Sequence, residues 1–261
     1  MKKITYFFSI FILFINFGCA GQEFDFEGME LAEKNFNERA QQETLALMSL
    51  EVMFPDENAR ALAKAAGKGK VKKVEEIVSS GVDVDSKGTQ GATPLFWAMA
   101  NYKGFKKLLE LGANPNIVYG DGNTVIQMSV RHKNSRFLEA LLEHGANPNL
   151  EAGGTFENTP IFDALSQGKT RVDLLLQAGA DINHQNKFGT TPVMTVAGRG
   201  DFEMTYYLLE KGADYRIENE AGETLAKRVA DKIGAMRAES DAAKWQVRVI
   251  DWLEKQGVQV R

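Results

Sequence analysis

A single cysteine, Cys19, in 261 residues leaves no intrachain disulfide to hold the fold together. Histidine is nearly as scarce. His132, His144 and His184 do not cluster, and none has a metal-ligating neighbour at ligand spacing, so no zinc centre is expected. No glycine-rich phosphate loop occurs. Asp121-Gly122-Asn123 has the opening of a calcium loop without its remaining oxygen ligands, and turn chemistry accounts for it. Positive charge is not in excess: 31 Lys and Arg stand against 35 Asp and Glu, a formal net charge of −4, which argues against a nucleic-acid partner. An apolar run long enough to span a membrane is also missing. With no convergent acid, base, nucleophile or metal set, neither catalysis nor a cofactor is expected.

What the chain does have is the ordinary balance of a globular protein, 44% hydrophobic and 25% charged, behind a distinctive start. Lys2 and Lys3 precede an apolar stretch from Ile4 to Phe17, which has the form of an export signal. Phe17-Gly18-Cys19-Ala20 follows. The segment resembles a bacterial lipoprotein signal, in which the cysteine after a small residue is lipidated and becomes the new N-terminus. Gly18 fits that pattern, whereas Asn16 stands where an aliphatic residue is usual. Cleavage after Ala20 is the alternative, because Gly18-Cys19-Ala20 also satisfies the small-x-small rule. Lipidation at Cys19 is the favoured expectation, with the mature protein exported, periplasmic and anchored to the outer membrane by lipid alone.

The rest of the chain repeats. Leu108-Leu109-Glu110-Leu111-Gly112-Ala113-Asn114-Pro115-Asn116 returns at 141–149, 174–183 and 208–214, with the glycines at 112, 145, 179 and 212 spaced 33, 34 and 33 apart and a degenerate copy ending at Gly81. A second mark runs in step: Thr93-Pro94-Leu95, Thr124-Val125-Ile126, Thr159-Pro160-Ile161, Thr191-Pro192-Val193 and Thr224-Leu225. Threonine is expected to cap a helix, proline to sit in its first turn, and glycine to end the next helix in the left-handed conformation. Each repeat is too thin to bury its own apolar face, so stability must come from stacking.

These phased marks resemble the ankyrin repeat over roughly residues 56–261, which implies an all-α solenoid of about six stacked helix-turn-helix units with N- and C-terminal caps. The family's histidine after Thr-Pro-Leu, which links neighbouring repeats by hydrogen bonds, is replaced by Phe96, Gln127, Phe162 and Met194. Packing by these side chains is expected to substitute. Two repeats are short, so a helix or turn is trimmed near Tyr102 to Phe105 and near Gly168.

Around the repeats, residues 1–19 form the signal and 20–55 a tether and N-terminal helix that packs onto or leads into the first repeat. Lys64, Lys68, Lys70, Lys72 and Lys73 of that repeat read first as a solvated capping face and second as a lipid-headgroup contact. From Ala226 the last unit is stretched, with lengthened helices expected and with Trp245 and Trp252, seven apart, packing on the fifth repeat.

The family resemblance also implies a protein-binding surface made of turn tips and the outer sides of the first helices. Counted from each threonine, it comprises Thr89, Gln90 and Ala92; Asp121, Asn123, Arg131 and His132; Thr155, Phe156, Asn158 and Gln167; and Lys187, Phe188, Thr190 and Arg199. Tyr119, Phe156 and Phe188 are the sharpest candidates, because aromatics at turn tips either anchor a partner or staple neighbouring turns. Small exported ankyrin proteins of this pattern resemble immunity proteins that bind and neutralise a secreted toxin, often a type VI phospholipase. That implies one tight protein partner for a chain that is monomeric when free. An envelope scaffold, or an accessory lipoprotein for a periplasmic enzyme, is the alternative.

Overall fold

The computed structural model describes residues 49–120, 122–153, 156–234 and 239–260, and its regular elements there are helical, with one isolated antiparallel bridge between Val118 and Thr124. Cys19 and most of the 20–55 segment lie outside the described residues. The helices are α1 Leu50–Met53, α2 Glu57–Gly67, α3 Val71–Ser79, α4 Pro94–Trp97, α5 Tyr102–Glu110, α6 Val125–Arg131, α7 Arg136–Glu143, α8 Pro160–Ala164, α9 Lys169–Gln177, α10 Pro192–Arg199, α11 Phe202–Glu210, α12 Leu225–Ala230 and α13 Asp241–Lys255. They gather into two compact units that divide between Ala146 and Asn147. The first unit holds α1 and the pairs α2/α3, α4/α5 and α6/α7. The second holds α8/α9, α10/α11 and α12/α13.

The repeated residues act as their chemistry dictates. Thr93, Thr124, Thr191 and Thr224 each accept a hydrogen bond from the backbone N–H three residues on, at 3.3 to 3.4 Å. Thr159 departs from this: it starts α8 without a side-chain cap, and its buried Oγ1 has no hydrogen-bond partner among the described residues. Burying an unsatisfied hydroxyl costs about 1–3 kcal/mol. Thr159→Val is therefore expected to leave the protein equally or more stable, while Thr191→Val lowers it by about 1 kcal/mol, read from urea unfolding midpoints of the two variants.

At the other end of each pair, the leucine four residues before the glycine is fully buried in all four copies (Leu108, Leu141, Leu175 and Leu208). Burying such a side chain is worth about 2 kcal/mol. Its carbonyl accepts from the alanine N–H after the glycine, at 2.9 to 3.0 Å. This closes the helix only because the glycine lies in the left-handed region, as Gly112 does at φ 90°.

The two short repeats lose residues from their first helix. α4 has four residues and continues as a 3-10 turn to Ala100, and α8 has five, against eight in α10. Asn101 then caps α5 by accepting from the N–H groups of Lys103 and Gly104. That close spacing presses Gly104 onto α2, where a Cβ would stand 1.9 Å from the Ala66 carbonyl oxygen.

Polar contacts between repeats come from the Gly-Ala-Asn loops. In the first unit Asp85 accepts from the Asn114 N–H and Asn116 donates to the Gly145 carbonyl. In the second, Asn149 accepts from the Asp181 N–H while donating to the Gly179 carbonyl, and Asn183 accepts from the Asp214 N–H. This amide ladder does the linking work of the family's histidine. The replacements pack: Phe96, Gln127, Phe162 and Met194 are all buried, Phe96 meeting Tyr119 at 5.0 Å and Phe162 meeting His184 at 6.0 Å between ring centroids.

The described part of the N-terminal segment packs on the first repeat. Met53 and Phe54 are buried, and the Thr89 hydroxyl donates to the Val52 carbonyl at 2.6 Å. At the far end only α13 is lengthened. α12, against the expectation of lengthened helices, stops at Ala230 and turns follow to Gly234. Trp245 packs against Tyr206 and Trp252 against Tyr215, at 5.7 and 5.5 Å.

α9 and α11 are also joined by an ionic group. Asp173 accepts from the Tyr207 hydroxyl at 2.5 Å and from Lys211 at 2.7 Å. Lys211, then Tyr207, hold its carboxyl below the usual range. A lowered carboxylate contributes stability above its unfolded range and loses it as pH falls through the folded value. The melting temperature is thus expected to drop on acidification below the ordinary aspartate range, and to drop less in Asp173→Asn.

Candidate partner-binding face

In the second unit the turn tips are built from one local pattern. Asn186 accepts from the N–H groups of Phe188 and Thr190, and Asn219 does the same for Ala221 and Glu223. Successive tips are tied by single backbone bonds, Lys187 N–H to the Phe156 carbonyl and Glu220 N–H to the Phe188 carbonyl, both at 3.1 Å. These ties fix Phe156 and Phe188 side by side. Their ring centroids are 5.7 Å apart at 66°, while the residues stay 55% and 43% exposed. The stapling contact and the exposed apolar surface therefore exist together.

Below the tips lies an open groove of about 720 Å³, lined by Phe156, Asn158, Phe162, Asn186, Phe188, Thr190, Thr195, Gly198, Arg199, Asn219, Glu220, Ala221 and Arg228. Five expected site residues, Phe156, Asn158, Phe188, Thr190 and Arg199, meet here. Arg199 is exposed, Arg228 pairs with Glu223 at 3.0 Å, and Asn158 accepts from the Asn186 amide. Lys187 stands outside the groove, 3.9 Å from Glu157. The lining residues missed from sequence include Thr195 and Arg228. Each lies four positions after a helix-opening threonine, a register that would have found them.

The first unit corrects more of the expectation. Tyr119 is 2% exposed, its ring against Phe96 and its hydroxyl 3.4 Å from the Thr93 hydroxyl, so it fills the core of its turn and offers nothing to a partner. His132 is 5% exposed; it follows the end of α6, packs at a tilt against Phe137 with ring centroids 4.4 Å apart and accepts from the Asn134 N–H. Ala92 is buried as well. Thr89 is exposed and Gln90 half-buried, the latter in the left-handed region at φ 59° with its carbonyl taking the Gly120 N–H. Arg131 donates to the Asn123 amide oxygen at 3.3 Å and to the Gln127 carbonyl. Asp121 and Thr155 lie outside the described residues.

Such a surface can bury apolar side chains over two rings, hydrogen-bond a backbone through Asn amides and clamp a carboxylate with a guanidinium. Among the described residues no group of three or more His, Cys, Asp or Glu is placed to hold a metal ion, and no helix is long and apolar enough to cross a membrane.

Models of ankyrin repeats match the sequence at residues 62–152, 99–186 and 175–228. The chain belongs to the ankyrin-repeat family. This ankyrin-repeat chain is similar in structure to the ankyrin repeat protein EF0377, with 27% identity and a TM-score of 0.60 over 73% of this chain and 98% of that one. It is similar also to a chain in the complex of the Bd0816 predatory endopeptidase from Bdellovibrio bacteriovorus with immunity protein Bd3460, with 27% identity and a TM-score of 0.59 over 72% of this chain and 97% of that one. A palmitoyltransferase, AKR1 of Lachancea kluyveri, is 29% identical over 150 residues, 54% of this chain. That match spans 20% of the transferase's own length. Ankyrin repeats are protein-binding modules.

Proposed function

We propose that this ankyrin-repeat protein is an immunity protein of the cell envelope, which captures one enzyme toxin through the groove of its second unit and keeps that enzyme from its substrate. The observation that carries the reading is the exposed Phe156–Phe188 pair standing over the Arg199 groove, since aromatic and arginine anchors dominate tight interfaces. Similarity over nearly the whole of a chain in an endopeptidase–immunity complex supports it. The toxin is a hydrolase, a phospholipase or a peptidase, acting on envelope substrates. The protein meets it after export, held at the membrane by lipid on Cys19.

The test is growth of cells lacking the gene beside cells that deliver the cognate hydrolase. Loss of the gene is expected to cost survival, restored by the intact chain; equal survival with and without it sinks the proposal. Location is checked separately by fractionation. Cys19→Ser is expected to move the protein from the membrane to the soluble fraction, and an unchanged distribution assigns cleavage after Ala20 instead.

A further inference from the structure

The first unit has a second concave site that the partner groove does not use. It is a dish of about 460 Å³ lined by Lys68, Gly69, Ala100, Asn101, Tyr102, Lys103 and Arg136. Its three charged residues are all cations, one from each of three successive repeats, and no acid lines it. All three are exposed, and none takes part in an ion pair among the described residues. Nearby lysines on the same unit are neutralised instead, Lys73 by Glu76 and Lys107 by Glu75 and Glu110.

The fold makes this convergence. Gly104 lets α5 approach the Ala66 carbonyl, and Gly69, at φ 64°, turns the chain against Asn101, where any Cβ would stand 2.6 Å from its side-chain oxygen. Those contacts bring the end of α2, with Lys68, beside the start of α5, with Lys103. The third cation is oriented from across the dish, since the Arg136 guanidinium lies 4.3 Å over the Tyr102 ring. The Lys103 and Gly104 N–H groups are already used by Asn101, so an anion here is met by side chains. Upstream, Arg60, Lys64, Lys68, Lys70, Lys72 and Lys73 follow one another with no acid between Glu57 and Glu75.

We infer that the Lys68–Lys103–Arg136 dish binds a phosphate group, carried by a free phosphoanion or by a phospholipid headgroup. Phosphate fits where a lone planar carboxylate does not, because its oxygens point in tetrahedral directions that can meet donors from several sides, and a guanidinium fork matches the phosphate geometry.

The experiment uses the full chain at low ionic strength, where surface charge is least screened. Titration with inorganic pyrophosphate is followed by calorimetry, and co-sedimentation is measured on phosphatidylcholine vesicles with and without phosphatidylglycerol. Both are read as the difference between the parent and the triple variant K68S/K103S/R136S. The variant is expected to weaken binding by about tenfold or more. A control triple in the second unit, K227S/K244S/K255S, removes the same charge and is expected to leave binding within about twofold. Loss in the pyrophosphate arm assigns a free phosphoanion, loss in the phosphatidylglycerol arm a headgroup, and loss in both the phosphate group common to them. No binding in either arm, or equal loss in the control, overturns the inference. Should the triple variant melt lower than the parent, K103S alone serves for the same readings.

Discussion

Replacing Phe156 and Phe188 together by alanine is expected to weaken capture of the protein partner by about tenfold or more, each single change costing more than about 1 kcal/mol. Both rings are exposed in the free chain, so their hydrophobic gain is still to be made when a partner covers them. Their mutual edge-to-face contact at 5.7 Å means the two single effects do not add, because losing one ring also loosens the other. Calorimetry with the purified partner measures the affinity, and thermal unfolding of the free variants measures the fold. A parent-like melting curve with lost affinity is the expected pattern. A lowered melting point with affinity intact would mean that the rings serve only to staple their turns.

Gly104→Ala is expected to destabilise the protein by about 3 kcal/mol, at the upper end of what overpacking usually costs. The added methyl would stand 1.9 Å from the Ala66 carbonyl oxygen, and backbone, unlike a side-chain tip, cannot swing away. Gly112→Ala is the informative contrast. A Cβ there meets nothing within 4 Å, but φ is 90°, so the cost is left-handed strain alone, about 1–2 kcal/mol. Urea unfolding of both variants separates collision from backbone strain, and equal losses would refute the close approach of α5 to α2.

Much of this was legible because the decisive chemistry is local and repeated. A leucine, a glycine and an alanine fix a helix end within five positions, and the same carbonyl bond forms at Leu108, Leu141, Leu175 and Leu208. The Thr-Pro mark failed only at Thr159, where the cap bond is missing for a reason the surrounding residues do not show. The candidate face was harder, since exposure depends on the neighbouring repeat. Tyr119 is a turn-tip aromatic like Phe188, but Phe96 and the Thr93 hydroxyl, more than twenty residues earlier, draw it inward. No spacing within its own turn distinguishes the two. The groove is half legible for a similar reason: its turn-tip residues follow from their distance to each threonine, whereas Thr195 and Arg228 belong to an inner register one helical turn after it.

The amide ladder also sets which part of the second unit opens first. Asn149 and Asn183 each reach the next loop, but the corresponding position after Gly212 is Arg216, whose guanidinium folds back onto Asp214 at 2.9 Å. The helix pair α12/α13 is thus attached without that rung, by buried Leu225, Val229, Val249 and Leu253, by tryptophan packing, and by two bonds at the turn, Glu220 N–H to the Phe188 carbonyl and the Gln185 amide to the Glu218 carbonyl. Local unfolding is cheapest where the fewest bonds must break together. This pair can therefore fray and reclose while α8 to α11 stay native. Because α12 contributes Arg228 to the groove, fraying there changes the shape a partner meets.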